Sequence, residues 1–278
     1  MSMPRHDLPA PRESFIASIQ KEAEYLDREL GGEAWKGEWT PSYFRTAFNN
    51  GCLRAYVNPN DPAIWLDLER CACLAAAAHV AAITSGTESI RAPRPGGGWA
   101  VVTRSAGKPK QLEPAVQWRA GLLASVATRN SDALAMLVAT RIEDLLRVSR
   151  SAPSWFESEA RALAAVFQLD TGAADLMRHA AQIAETDRTD QRWPHEVVVP
   201  EMELGLRALE RDARRFDVAM VRAVELHHHY YGSEGKDIFH GQLALAPLAM
   251  ACFGSDRGLH TTVESDYLPR WIIERSAP

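Results

Sequence analysis

The segment DPAIWLDLERCACLAAAAHVAAIT, residues 61–84, constrains the fold more than any other. Asp61 is placed to cap a helix, Pro62 suits its start, and no breaker follows. The alanine-rich side lets a second helix approach closely, so helices packed on helices are expected around it. The same punctuation recurs along the chain. RESFIASIQKEAEYLDREL (12–30) sets Phe15, Ile16, Ile19, Ala23, Leu26 and Leu30 at helical spacing, and Gly31-Gly32 stops it. Thr40-Pro41 opens a second helix that ends at Asn58-Pro59. Ser131, with Asp132 in the first turn, is expected to cap a single helix through residues 131–149. Helical patterns also fill residues 113–129, 153–170, 171–185 and 202–232. The most apolar pattern, DIFHGQLALAPLAMACFGSDRG (237–258), carries Pro247 in its interior, where it is expected to bend the helix.

Two stretches break this texture. Residues 85–114, SGTESIRAPRPGGGWAVVTRSAGKPKQLEP, are rich in Gly, Pro and basic residues, and WAVVTR in their middle is strand-like. A short β-hairpin or flap near residues 97–104, or a mobile loop, is expected there. TDRTDQRWPHEVVVP (186–200) is polar, with a short extended piece over Val197–Val199. No clean linker splits the chain. The expectation is a single all-α domain over 1–278 of about ten helices, with a poorly ordered N-terminal segment 1–10 and a Gly/Pro-rich flap at 86–111.

Composition excludes several classes. A chain of 278 residues, 46% hydrophobic and 24% charged, has enough sequence for a sizeable core. The net charge of −5 leaves no basic surplus for nucleic acid. No apolar run reaches the length of a membrane span, and the opening MSMPRHDLPAPRESF lacks the apolar centre of a signal peptide. Cys52, Cys71, Cys73 and Cys252 lie in apolar helix-like stretches and read as buried, reduced thiols. A soluble, cytoplasmic protein is the expectation.

Candidate chemistry begins at ELHHHYY (225–231), where Glu225 and His228 form one Glu-x-x-His pair. Carboxylate-bridged metal bundles need two such motifs and further glutamates, and the sequence offers no second one. Consecutive helical side chains fan out by about 100°, so His227, His228 and His229 do not converge on one ion. A metal-dependent helical enzyme would therefore need Glu225, His228 and a distant His240. No G-x-S-x-G or H-E-x-x-H is present, and RPGGGW (94–99) lacks the Lys-Ser/Thr of a phosphate loop. Loops carry binding, and an exposed tryptophan is a natural anchor. Trp99 and Arg104 in the flap, and Asp190, Trp193 and His195 in the polar break, are the expected contact residues. At the C-terminus, Asp266 is placed to cap a last helix, Glu264 to sit near its positive end, and Tyr267 to bond at a buried edge.

ALERDARRFDVAMVRAVELHHHYY (208–231), GQLALAPLAMACFGSDRG (241–258) and VESDYLPRWIIER (263–275) together resemble the C-terminal half of the immunity protein 49 family. The helix over 61–82 resembles the family's tryptophan-bearing helix more loosely. Ala246 stands where the family often has glycine. The resemblance implies a cytosolic antidote in a bacterial polymorphic toxin system. Such a protein is not an enzyme and holds no cofactor or metal. Its partner is the catalytic domain of a cognate toxin, with neither direct nucleic-acid binding nor a membrane. Were that toxin to act on nucleic acid, its cleft would be basic, and acidic residues here would steer association. Glu264, Ser265, Asp266, Tyr267, Leu268 and Pro269 are the family motif and carry a structural role.

Overall fold

The computed structural model describes residues 2–3, 13–32, 34–36, 40–83, 89–103, 114–149, 152–187, 192–232 and 240–276. Among the described residues are twelve α-helices and five short strands, so the chain is mostly helical, as its punctuation indicates. They fall into two compact units, Pro9–Ala152 and Pro153–Pro278, the second joined by Met1–Leu8.

In the unit Pro9–Ala152, α1 (Glu13–Leu30) buries Ile19, Ala23, Leu26 and Leu30 along one stripe, while Ile16 is exposed. A Cβ on Gly31 would lie 2.8 Å from the Asp27 carbonyl oxygen, so the turn after α1 needs a glycine. The next helices are α2 (Thr40–Val57) and α3 (Ala63–Ile83). Asp61 caps α3 as expected, its Oδ1 accepting from the Ala63 N–H at 2.9 Å. From Cys71 to Ala77 every α3 side chain is buried, and α4 (Pro114–Thr128) lies against it. The two helices meet so closely that a Cβ on Gly121 would stand 2.1 Å from the Ala75 Cβ. Trp118, wholly buried on α4, donates its Nε1–H to the Leu137 carbonyl at 2.9 Å. The single helix expected over 131–149 is two, α5 (Ser131–Val138) and α6 (Ile142–Val148). Asn130, not Ser131, is the cap: its Oδ1 accepts from the Ala133 N–H at 2.9 Å. Neither glycine nor proline marks the break at residues 139–141; burial of Leu137, Ile142 and Leu145 sets it.

This unit also holds a three-stranded sheet, ordered β2 (Ala34–Lys36), β4 (Trp99–Thr103), β3 (Ser89–Pro93). β3 and β4 pair antiparallel, and β2 pairs parallel with β4. Only β4 is legible as a strand in the sequence. The hairpin therefore spans 89–103 rather than 97–104, and its turn uses Gly96, Gly97 and Gly98 at φ of 78°, 96° and 85°. Residues 104–111 of the expected flap lie outside the described residues.

In the unit Pro153–Pro278, α7 (Phe156–Gln168) and α8 (Ala173–Thr186) precede a π-turn at Pro194–Val198 that runs into α9 (Val199–Glu210). The expected extended piece at Val197–Val199 is thus helical, and Val198, Val199 and Pro200 are all buried in it. Asp212 caps α10 (Ala213–Tyr231) through the Arg215 N–H at 3.0 Å. After a short 3-10 turn, α11 (Leu245–Asp256) starts late enough that Pro247 falls in its first turn, where no N–H is needed. The condition for the expected bend, a proline in the helix interior, is therefore not met. The last helix, α12 (Arg270–Glu274), has Pro269 at its cap position and no side-chain cap, so Asp266 does not cap it. Ser2–Met3 (β1) pairs in parallel with Glu264–Ser265 (β5), while residues 4–10 of the expected disordered segment lie outside the described residues.

Gly121→Ala drives a methyl into Ala75 and is expected to destabilise the protein by about 1–3 kcal/mol. Urea unfolding of the variant beside the native chain measures it.

Candidate functional site

Two clusters of polar and aromatic groups stand out, one in each unit. The first is built on the last turns of α10. His227 is buried and donates Nε2–H to the Gly241 carbonyl at 2.8 Å. Its ring lies against Tyr231 and Tyr267, with centroids 4.7 Å and 5.3 Å away. Gly241 has no room for a side chain, since a Cβ there would reach 2.5 Å from Tyr231. Tyr267 is completely buried; its hydroxyl lies 2.8 Å from His228 Nδ1, and its carbonyl accepts from the Ala244 N–H at 3.1 Å. Upstream, Asp217 on α10 accepts from Thr261 Oγ1 at 2.8 Å, from the Thr262 N–H at 2.7 Å and from the Thr262 hydroxyl. Burial pushes the Asp217 carboxyl up, but these donors outweigh it and hold it below the usual aspartate range. The ESDYLP stretch is thereby tied to α10 through Tyr267, and the two threonines just ahead of it through Asp217.

His229 points elsewhere. It lies 3.3 Å from Glu196, which also accepts two bonds from Arg192 at 2.6 and 2.7 Å. The three histidines thus serve three different partners. Glu225 is exposed and His240 half-buried. Among the described residues no group of three or more His, Cys, Asp or Glu side chains is placed to hold a metal ion. All four cysteines are free and buried, and burial pushes the Cys71 and Cys73 thiols well up, away from the reactive thiolate.

The second cluster is the outer face of the sheet. Alternation along β4 sends Ala100 and Val102 inward and leaves Trp99 41% and Val101 42% exposed. The cross-strand row Ala34, Val101, Arg91 is exposed throughout, and the Arg91 guanidinium sits 5.4 Å from the centre of the Trp99 ring. The inward row packs Trp35 and Val102 into the core. The turn is tied at two points. Glu69 on α3 accepts from the Gly96 N–H at 3.1 Å, and Arg94 donates to the Gly31 carbonyl at 2.8 Å. Burial pushes the Glu69 carboxyl up, against the Gly96 bond and Arg70.

Of the expected contact residues, Trp99 is on this exposed face. Trp193 is half-buried at the start of the π-turn, edge-on to Tyr230 at 5.3 Å, and His195 beside it is exposed. Arg104 and Asp190 lie outside the described residues. Arg91 and Val101 were not singled out from the sequence; reading 89–93 as a strand would have placed them beside Trp99.

Among the described residues, the last turns of α10 use His227, His228 and His229 to hold neighbouring segments, and the sheet leaves Trp99 and Val101 outward. The model of the immunity protein 49 family matches residues 64–272, and the chain belongs to that family. No curated protein and no solved structure matches it.

Replacing Asp217 by Asn should lower stability by about 2 kcal/mol at neutral pH. The native advantage is present above the unfolded aspartate pKa of about 3.9 and is lost as pH falls through the lower folded value. Urea melts of both proteins at neutral and acid pH should therefore converge in acid. Tyr267→Phe keeps the ring, loses the His228 bond and is expected to cost about 1 kcal/mol in the same assay.

Proposed function

We propose that this chain acts as one immunity-type body in the cytoplasm, binding the catalytic domain of a cognate interbacterial toxin and covering its reactive surface. It carries out no reaction of its own. Membership of an immunity protein family supports the role. The exposed Trp99–Val101 face, with Arg91 stacked on the indole, is the observation that supports binding as the mechanism. Tryptophan and arginine are the residue types that most often dominate interface energetics, and a stable complex buries on the order of 1,600 Å². The expected anchors Trp193 and His195 remain candidates for a second contact; Trp193 leans on Tyr230 and leaves His195 outward. No described helix is long and apolar enough to cross a membrane.

The toxin can be identified as the neighbouring gene whose expression kills cells lacking this chain. Co-expression should restore growth, and the two proteins should elute as a stoichiometric complex. Trp99→Ala should weaken binding at least ~10-fold, the loss expected when a hot-spot tryptophan is truncated. His228→Ala should melt earlier yet still protect at permissive temperature. Loss of protection by a folded His228→Ala variant with unchanged toxin affinity would instead point to chemistry at that imidazole.

A further inference from the structure

Charge on the sheet face runs against the charge of the chain. The protein carries a net −5, yet residues 85–114 contain Arg91, Arg94, Arg104, Lys108 and Lys110 against only Glu88 and Glu113. In the described part of that stretch, Arg91 is exposed beside Trp99 and makes no ion pair among the described residues; Arg94 donates to a carbonyl rather than to a carboxylate. Three carboxylates among the described residues of this unit are already engaged. Asp27 meets Arg70, Glu29 lies 3.1 Å from the Tyr43 hydroxyl and 3.5 Å from Arg28, and Glu69 is buried under Gly96. What remains outward is an apolar strip, Ala34, Val101 and Trp99, edged by cationic side chains.

Resting on the functional reading above, we infer that the sheet face docks on an acidic patch of the toxin's surface, with Trp99 as the central anchor and Arg91 and Arg94 pairing with carboxylates around it. A protein partner fits better than nucleic acid. A nucleic-acid footprint needs a basic stripe long enough to follow phosphates, whereas this face is mostly apolar in an acidic chain. The anchor accordingly sits on an acidic region of the toxin rather than in a basic nucleic-acid cleft. Electrostatic pairing of this kind acts mainly on the association rate, because complementary fields steer the encounter.

The test uses the full chain and the purified catalytic domain of the toxin identified above, with association followed by stopped flow from about 0.05 to 0.5 M NaCl, a range that shortens the screening length several-fold. Native association should slow at least ~10-fold across that range. The double variant Arg91→Glu, Arg94→Glu should associate at least ~10-fold more slowly at low salt, with a flattened salt slope and a smaller change in dissociation rate. Arg91→Gln, which cannot repel, should fall between. Far-ultraviolet circular dichroism and melting temperature verify that each variant folds. Variants that associate at the native rate, or faster, overturn the inference while leaving the functional reading intact. A single-stranded oligonucleotide that competes with the toxin for this face also overturns it, in favour of a nucleic-acid site. Failure of the native chain to form any complex with the toxin removes the functional reading, and this inference with it.

Discussion

Crowding between Ala75 and Gly121 fixes α3 against α4 at a distance no larger residue permits, and the unit Pro9–Ala152 is arranged about that post. One length of α3 is almost pure alanine and cysteine, so it contributes close backbone approach rather than side-chain bulk. The length before it carries Asp67, Glu69 and Arg70, all buried. Asp67 accepts from Arg54 at 2.8 Å and from Arg70 at 2.6 Å, and Arg70 reaches on to Asp27 of α1. Burial pushes the Asp67 carboxyl up, while the two guanidiniums pull the other way. Such a chain of charges stabilises little in itself, but removing one member leaves another buried without its partner. It therefore selects one arrangement of α1, α2 and α3. Glu69 extends that selection to the hairpin turn, so the placement of the sheet face follows from the same helix.

The unit Pro153–Pro278 reaches rigidity by another route. Its anchors are neutral or singly charged groups along α10, each paired with a residue from a segment 14 to 45 positions away. Three adjacent histidines look like a metal site in sequence because they are adjacent. The helix separates them: one serves the Gly241 carbonyl, one the Tyr267 hydroxyl and one Glu196. Tyr267 is the pivot, since its hydroxyl and its carbonyl tie α10 and the start of α11 together.

Long helices were readable because each carries its own punctuation: Asp61 before α3, Gly31 after α1, Thr40-Pro41 at the start of α2. The errors lie where tertiary burial overrides local signals. Residues 131–149 read as one helix because helical periodicity survives a short break. Val197–Val199 read as extended because β-branched residues favour strands, yet here they are helical, with Val198 and Val199 buried. The two unread strands have physical reasons as well. β2 is only three residues long, and β3 ends on Pro93, which weakens any strand pattern. Trp35 belongs to the core, because β2 turns it inward beside Val102. Trp99 was visible as a candidate from its Gly- and Pro-rich setting. Its companions Arg91 and Val101 depend on strand register, which no single segment encodes.

That register explains why a mostly helical protein presents its open aromatic surface on a sheet. The described helices of this unit spend their apolar stripes on one another, and α3 spends nearly its whole circumference. A small sheet has two faces and only one core to fill, so alternation leaves the other outward. Exposed tryptophan on a mobile loop would lose rotamer and backbone freedom on binding. Here the hairpin is pinned by Glu69 and Arg94, the indole is held under Arg91, and three successive left-handed glycines make the turn tight. The ordering cost falls on folding, supplied by the buried post behind the sheet, and little is left to be met when a partner arrives.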